Sequence, residues 1–147
     1  MTKVTDHYRY HREQIATERR RCQEASYCSE NAEQACWMVR MTYIVTEACI
    51  RCKYTDCVEV CPVDAFREGP NFLAIDPDAC IDCSLCVPEC PVEAIFPDSQ
   101  VPEDQNVFVQ LNAELAGKWK VIVRPRLPLP DADYWAQVTN KLIYLEP

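Results

Sequence analysis

Eight of the 11 cysteines stand in two runs, CxxCxxxxCxxxCP over residues 49–62 and CxxCxxCxxxCP over residues 80–91. Two such runs do not arise by chance, and they bring so many thiols together that the chain must either cross-link them or wrap them around a metal. In a small secreted protein this load of cysteine would read as a disulfide framework, and in a cytosolic one as metal binding. Residues 1–20 read MTKVTDHYRYHREQIATERR, without the apolar stretch of roughly 7–15 residues that a secretory signal needs. Charges or prolines interrupt every hydrophobic segment well short of the ~20 apolar residues of a membrane span. A soluble, cytoplasmic, metal-binding chain is therefore expected.

Soft thiolates share charge with iron in both of its common oxidation states, and the CxxCxxC…CP spacing suits iron–sulfur clusters. Three closely spaced cysteines address three corners of one cubane, and the fourth corner is filled by the CP cysteine of the other run. Cys80, Cys83 and Cys86 with Cys61 make a complete set for a [4Fe–4S] cluster. In the first run four residues, not two, follow Cys52. The lengthened loop displaces Cys52, so that Cys49, Cys57 and, by crossing, Cys90 are left to hold a [3Fe–4S] cluster. Seven ligands are thus named, with Cys52 expected not to ligate. Two four-cysteine zinc sites and an eight-iron protein using Cys52 are the alternatives. Three cysteines at two-residue intervals suit tetrahedral zinc poorly.

The segment CVEVCPVDA at 57–65 repeats as CVPECPVEA at 86–94, an internal duplication of about 30 residues. Two such units can pack about a pseudo-twofold axis, which makes the crossed ligation natural. Residues 41–100 are expected to form the cluster domain, with a first repeat at 42–70 and a second at 71–100. Tyr43, Ile44 and Val45 read as a strand before the first ligand. Gly69, Pro70 and Asn71 read as a turn, and residues 72–75 as a strand ended by Asp76-Pro77. Short helices are expected after Pro62 and Pro91, where Asp64 and Glu93 would favour a helix N-terminus. Ile50, Val58, Val63, Phe66, Ile81, Val87, Val92, Ile95 and Phe96 are the expected apolar shell of the clusters.

Residues 101–147 carry no cysteine. Val107, Phe108, Leu111 and Leu115 recur at helical spacing toward Trp119. The Pro-rich stretch at 124–130 must be extended, and Asp131 or Asp133 is placed to cap a last short helix through Trp135. This C-terminal extension is expected to pack on the cluster domain. Residues 1–40 differ in kind: seven Lys/Arg and six Asp/Glu give them a formal charge of +1 within a chain of net charge −8. They are expected to lie outside the core as an exposed helix or disordered segment, with Met41 the start of the natural product. His7, His11, Cys22, Cys28 and Cys36 match no ligand spacing and are read as surface residues.

From Met41 onward the chain resembles the seven-iron bacterial ferredoxins, which carry one [3Fe–4S] and one [4Fe–4S] cluster. The likeness runs over residues 42–147 and includes TEACIRCKYTDCVEVCP, EGPNFLAIDPDACIDCSLCVPECP and the distant tail elements VPED, QLNAELA and PLPDA. It implies an α+β dicluster ferredoxin fold of two short antiparallel β pairs and two short helices, a C-terminal wrap, and one-electron transfer as a monomer. It implies also that Asp56, next to Cys57, relays protons to the three-iron cluster. Ala65 stands where some members have a further non-ligating cysteine, and the leader has no counterpart. The acidic balance disfavours nucleic acid and favours redox partner proteins with basic surfaces, docking at Asp56, Glu59, Asp78, Asp82 and Glu89. A redox or iron sensor is the alternative function, and its binding element would have to be built on Arg19, Arg20 and Arg21. With two glycines in all and no nucleophilic constellation, the chain is not expected to be an enzyme.

Overall fold

Each half of the duplicated segment opens and closes with a three-residue strand, and the halves exchange these strands. β1 (Tyr43–Val45), opening the first half, pairs antiparallel with β4 (Ile95–Pro97), closing the second, with Ile44 opposite Phe96. β2 (Phe66–Glu68), closing the first half, pairs antiparallel with β3 (Leu73–Ile75), opening the second, with Arg67 opposite Ala74. A two-residue β5 (Lys120–Val121) from the C-terminal extension joins the free edge of β2, so one of the two expected pairs becomes a three-stranded sheet. This computed structural model describes residues 42–147. The readings of residues 1–41, including the leader, Met41 as a start and the His7, His11, Cys22, Cys28 and Cys36 group, lie outside the described residues.

The backbone repeats the duplication in a way that residue types do not announce. Positive φ occurs at Arg51 and Asp82 (64° and 56°), at Lys53 and Ser84 (44° and 60°), and at Asp64 and Glu93 (52° and 49°), three pairs at equivalent places in the halves. Left-handed backbone costs a side-chain-bearing residue roughly 1–2 kcal/mol. Six residues bear that cost because the loops around the cysteines must turn tightly.

The last pair corrects the expected helices. Pro62-Val63 and Pro91-Val92 form turns, and the left-handed residues Asp64 and Glu93 then send the chain straight into β2 and β4. The amides that a helix would have used are committed elsewhere: Ala65 N–H donates to Cys61 Sγ at 3.4 Å, and Ala94 N–H to Cys90 Sγ at 3.3 Å. The short helix of the first half instead precedes Pro62, as α1 (Asp56–Glu59), and residues 85–89 of the second half make only turns.

The extension supplies α2 (Val107–Ala116), as its periodicity predicts, but the buried face is Phe108, Asn112, Leu115 and Ala116, while Val107 is half exposed. Phe66, Phe72 and Phe108 are fully buried, each worth about 1.5–3 kcal/mol in apolar transfer. Phe72 meets the Phe108 ring at 5.9 Å and the Trp119 ring edge-on at 6.3 Å. Gly69, in the β2–β3 turn, lies so close to the Trp119 indole that a Cβ there would clash with its ring atoms.

Asn112 ties α2 to both halves. Its Oδ1 accepts from Val45 N–H at 3.1 Å and Ile75 N–H at 2.9 Å, and its Nδ2 donates to the carbonyls of Val45 and Phe108, both at 2.8 Å. Val45 and Ile75 end the opening strands of the two halves, so one buried side chain satisfies both exposed edges. After an extended stretch comes α3 (Ala132–Trp135). Asp131 occupies its N-cap position without capping it, because its carboxylate accepts from Trp135 Nε1 at 2.7 Å instead. No helix among the described residues is long and apolar enough to cross a membrane.

Candidate metal centres

The eight cysteines of the two runs are all unpaired thiols, Cys49, Cys52, Cys57 and Cys86 buried and Cys61, Cys80, Cys83 and Cys90 half-buried. Cys61, Cys80, Cys83 and Cys86 line one cavity, which is otherwise walled by side chains such as Tyr43, Val63, Phe66, Ile75 and Ile81. The second half reaches it from the turn after β3. Asp76 organises that turn: its carbonyl accepts from Ala79 and Cys80 N–H at 3.1 and 2.9 Å, its Oδ1 from Asp78 N–H at 2.9 Å, and its Oδ2 from Arg67 Nη2 at 2.6 Å. Cys61 crosses to the same cavity from the end of α1.

The thiols also sort electrostatically. Burial pushes the Cys86 thiol up to about 12, with Cys80, Cys83 and Cys61 as further causes. Burial pushes Cys61 up, with Cys83 and Cys80 adding to it, while hydrogen bonds from the Ala65 and Val63 amides pull the other way. In the other group, burial pushes Cys49 up to about 12, opposed by a backbone hydrogen bond at Leu73 and reinforced by Cys90 and Cys52. Cys57 is raised by burial and then by Cys49, Cys90 and Cys86. Cys61, Cys80, Cys83 and Cys86 thus neighbour one another on one side, and Cys49, Cys52, Cys57 and Cys90 on the other, with Cys57 also close to Cys86.

Cys52 lies in the second group but is engaged from outside it. Its sulfur donates to the Ala132 carbonyl and accepts from the Lys141 ammonium, both at 3.5 Å. Burial raises its thiol, and Lys141 opposes that rise by charge and hydrogen bond. Lys141 is itself only 1% exposed and donates also to the carbonyls of Ala48 at 2.7 Å and Trp135 at 3.1 Å. Sequence reading missed Lys141, which stands in TNKLIYLEP with nothing to single it out.

The donor set fits iron–sulfur clusters. Among the described residues no three His, Cys, Asp or Glu side chains close to single-ion distance; four of the sulfurs, those of Cys61, Cys80, Cys83 and Cys86, are instead spread around a cavity, as a polynuclear centre requires. Backbone amides already point at sulfur, as such centres use to tune potential. Of the expected apolar shell, Ile50, Val58, Phe66 and Ile95 are buried, and Val63, Ile81, Val92 and Phe96 partly so. Val87 is 36% exposed, because residues 85–89 form surface turns in place of a second helix. Asp56, Glu59, Asp78 and Glu89 are exposed; Asp82 is half-buried, and burial, with Asp98 behind it, raises its carboxyl.

An α+β chain of short antiparallel strands with two tandem cysteine runs facing in defines an iron–sulfur electron-transfer protein. Residues 73–96 match a 4Fe–4S binding domain, and residues 106–147 match a domain of unknown function. The chain is 52% identical over 101 residues to Ferredoxin-1 of Caulobacter vibrioides, covering 69% of this chain and 88% of that one. It is 49% identical over 102 residues to a ferredoxin of Rickettsia felis, covering 69% and 92%. The chain belongs to the bacterial ferredoxins, which are electron carriers and not enzymes.

Proposed function

We propose that the chain is a dicluster ferredoxin that holds a [4Fe–4S] cluster on Cys61, Cys80, Cys83 and Cys86 and a [3Fe–4S] cluster on Cys49, Cys57 and Cys90. The observation that carries this reading is the state of Cys52, whose sulfur has both its donor and its acceptor capacity used by the C-terminal extension. When bound, the clusters supply one-electron redox chemistry. The protein's own part is to exclude water with residues such as Ile50, Val58 and Phe66 and to aim amides such as those of Ala65 and Ala94 at sulfur. The carrier passes electrons between a reductase and an acceptor enzyme in the cytoplasm as a monomer. It meets both through an acidic surface to which the exposed Asp56, Glu59, Asp78 and Glu89 contribute.

Asp56 is exposed at the start of α1, one residue before Cys57. Reduction adds negative charge to a poorly solvated site and raises the proton affinity there, so a carboxylate at its edge can carry the proton in from solvent. In Asp56→Asn, voltammetry across pH should show slowed proton-coupled reduction, and unchanged rates would remove Asp56 from that role.

The deciding experiment is EPR with iron quantification on anaerobically purified protein. An oxidised three-iron cluster is paramagnetic, whereas two oxidised cubanes are silent. A silent oxidised protein with iron for two cubanes would replace this reading with an eight-iron one in which Cys52 ligates.

A further inference from the structure

The residues that lengthen the first cysteine loop are also the residues to which the C-terminal extension is fastened. Between Cys52 and Cys57, the Tyr54 hydroxyl donates to Asp133 Oδ1, and Thr55 exchanges paired hydrogen bonds with the Arg126 backbone, at 2.7 Å as donor and 2.6 Å as acceptor. Cys52 itself is held by the Ala132 carbonyl and Lys141 Nζ. The equivalent stretch of the second half has no such tie to the extension: Ser84 Oγ donates to the neighbouring Cys83 carbonyl at 2.7 Å and its side chain hydrogen-bonds Tyr43 within the cluster domain. A lysine ammonium buried to 1% exposure is costly unless fully paired, and Lys141 is paired by two carbonyls and one sulfur, with no carboxylate among its hydrogen-bond acceptors.

We infer that Lys141 is a positioning residue that holds Cys52 off the [3Fe–4S] site and thereby fixes the number of irons there, which gives residues 106–147 a function. The inference rests on the three-iron reading above. To become a ligand, Cys52 must leave the Ala132 carbonyl and Lys141 and release its proton. The balanced step that this prevents is uptake of one ferrous ion by the reduced three-iron cluster. No further electron is needed, the new iron bonds to Cys52 sulfur, and the thiol proton goes to solvent.

The full chain is purified anaerobically, reduced, exposed to excess ferrous ion, desalted and reoxidised, and its EPR and iron content are recorded. Wild type and Lys141→Arg should keep the oxidised three-iron signal. Lys141→Met should lose most of it and gain one iron per chain, and the double variant Lys141→Met with Cys52→Ala should recover it. Lys141→Gln, which keeps a donor for the Ala48 and Trp135 carbonyls, is read in the same way if the Met variant does not accumulate with clusters. Retention of the signal in the uncharged variants, or conversion that persists without Cys52, overturns the inference. A wild type that lacks the signal from the outset instead overturns the three-iron reading.

Discussion

Replacing Asn112 by Ala should remove a large part of the stability of the cluster domain. The side chain is 0% exposed and leaves four hydrogen bonds behind. Phe108 C=O stays within the α2 hydrogen-bond pattern, but the Val45 and Ile75 amides lose a partner, and so does the Val45 carbonyl. The pairing of β1 with β4 runs through its other edge, since Thr46 N–H donates to the Ala94 carbonyl and Asp98 N–H to the Thr42 carbonyl. The orphaned groups of Val45 therefore cannot turn to β4. A buried group left unpaired costs about 1–3 kcal/mol, so three of them cost about 3–9 kcal/mol, against a total of about 5–15 kcal/mol for a domain. At roughly 4–8 °C per kcal/mol for a chain of this size, the midpoint of thermal bleaching should fall by at least about 12 °C. The assay is visible absorbance against temperature at one fixed scan rate, because cluster loss makes unfolding irreversible. Asn112→Asp, which keeps the acceptor for both amides but sets a second carboxylate oxygen against the Val45 and Phe108 carbonyls in a fully buried site, should also lower loading of clusters during expression. Bleaching of the Ala variant within a few degrees of wild type would refute the claim that Asn112 joins the two halves.

Gly69→Ala should displace the Trp119 indole from Phe72 and lower the bleaching temperature, with a change in near-ultraviolet circular dichroism that Gly117→Ala, whose Cβ meets only ordinary contacts, does not produce. Arg67→Ala should cost about 1.5–3 kcal/mol by removing a charge-assisted hydrogen bond to half-buried Asp76, and cluster loss in this variant should begin at the cavity lined by Cys61, Cys80, Cys83 and Cys86, because Asp76 shapes the approach to Cys80. Iron removal by a chelator should abolish circular dichroism and visible absorbance together, since ligand binding and folding are one equilibrium in a domain this small. Reassembly should proceed further as pH rises from about 7 toward 9: the cysteines of the unfolded, metal-free chain titrate at about 8.5, thiolates must form to bind iron, and every cluster therefore displaces protons. Yields that are flat with pH would contradict that linkage.

The twofold repetition of the fold was legible in the chain because duplication leaves residue types in register: Cys, Val, Cys, Pro, Val, an acid and Ala recur, and the same types meet the same packing. The exchange of strands between the halves was not, since 66–68 and 95–97 carried no strand reading. The φ values were not. Arg51, Asp82 and Glu93 adopt left-handed backbone without being glycine or asparagine, so nothing in composition marks the tight turns, and proline with a following acid reads as a helix start when it is a turn. Helix α2 was visible from its period, yet the apolar count favoured Val107 over Asn112. A polar residue four positions after Phe108 and three before Leu115, inside an apolar stripe, was the signal for a buried tie. Lys141 carried no such signal, because its burial depends on three acceptors that come together only in space.

The two departures from twofold symmetry belong to each other. A repeat built only for two equal sites would need neither the longer first loop nor a tail, and either alone would be a liability. The loop would leave the Tyr54 hydroxyl, Thr55 and a buried thiol without partners, and the tail would leave Lys141 with two carbonyls but without the Cys52 sulfur. Together they satisfy one another, since Asp133, the Arg126 backbone, the Ala132 carbonyl and Lys141 all address residues 52–55. The electrostatic sign runs the same way: the ammonium stands beside the site that is proposed to have fewer thiolates, and the four-cysteine cavity has no lysine or arginine in its lining. A reducible centre with one thiolate less and a positive charge nearby is the easier to reduce of the two. The extension thus offers a physical route by which one fold, duplicated, holds two centres of unequal potential.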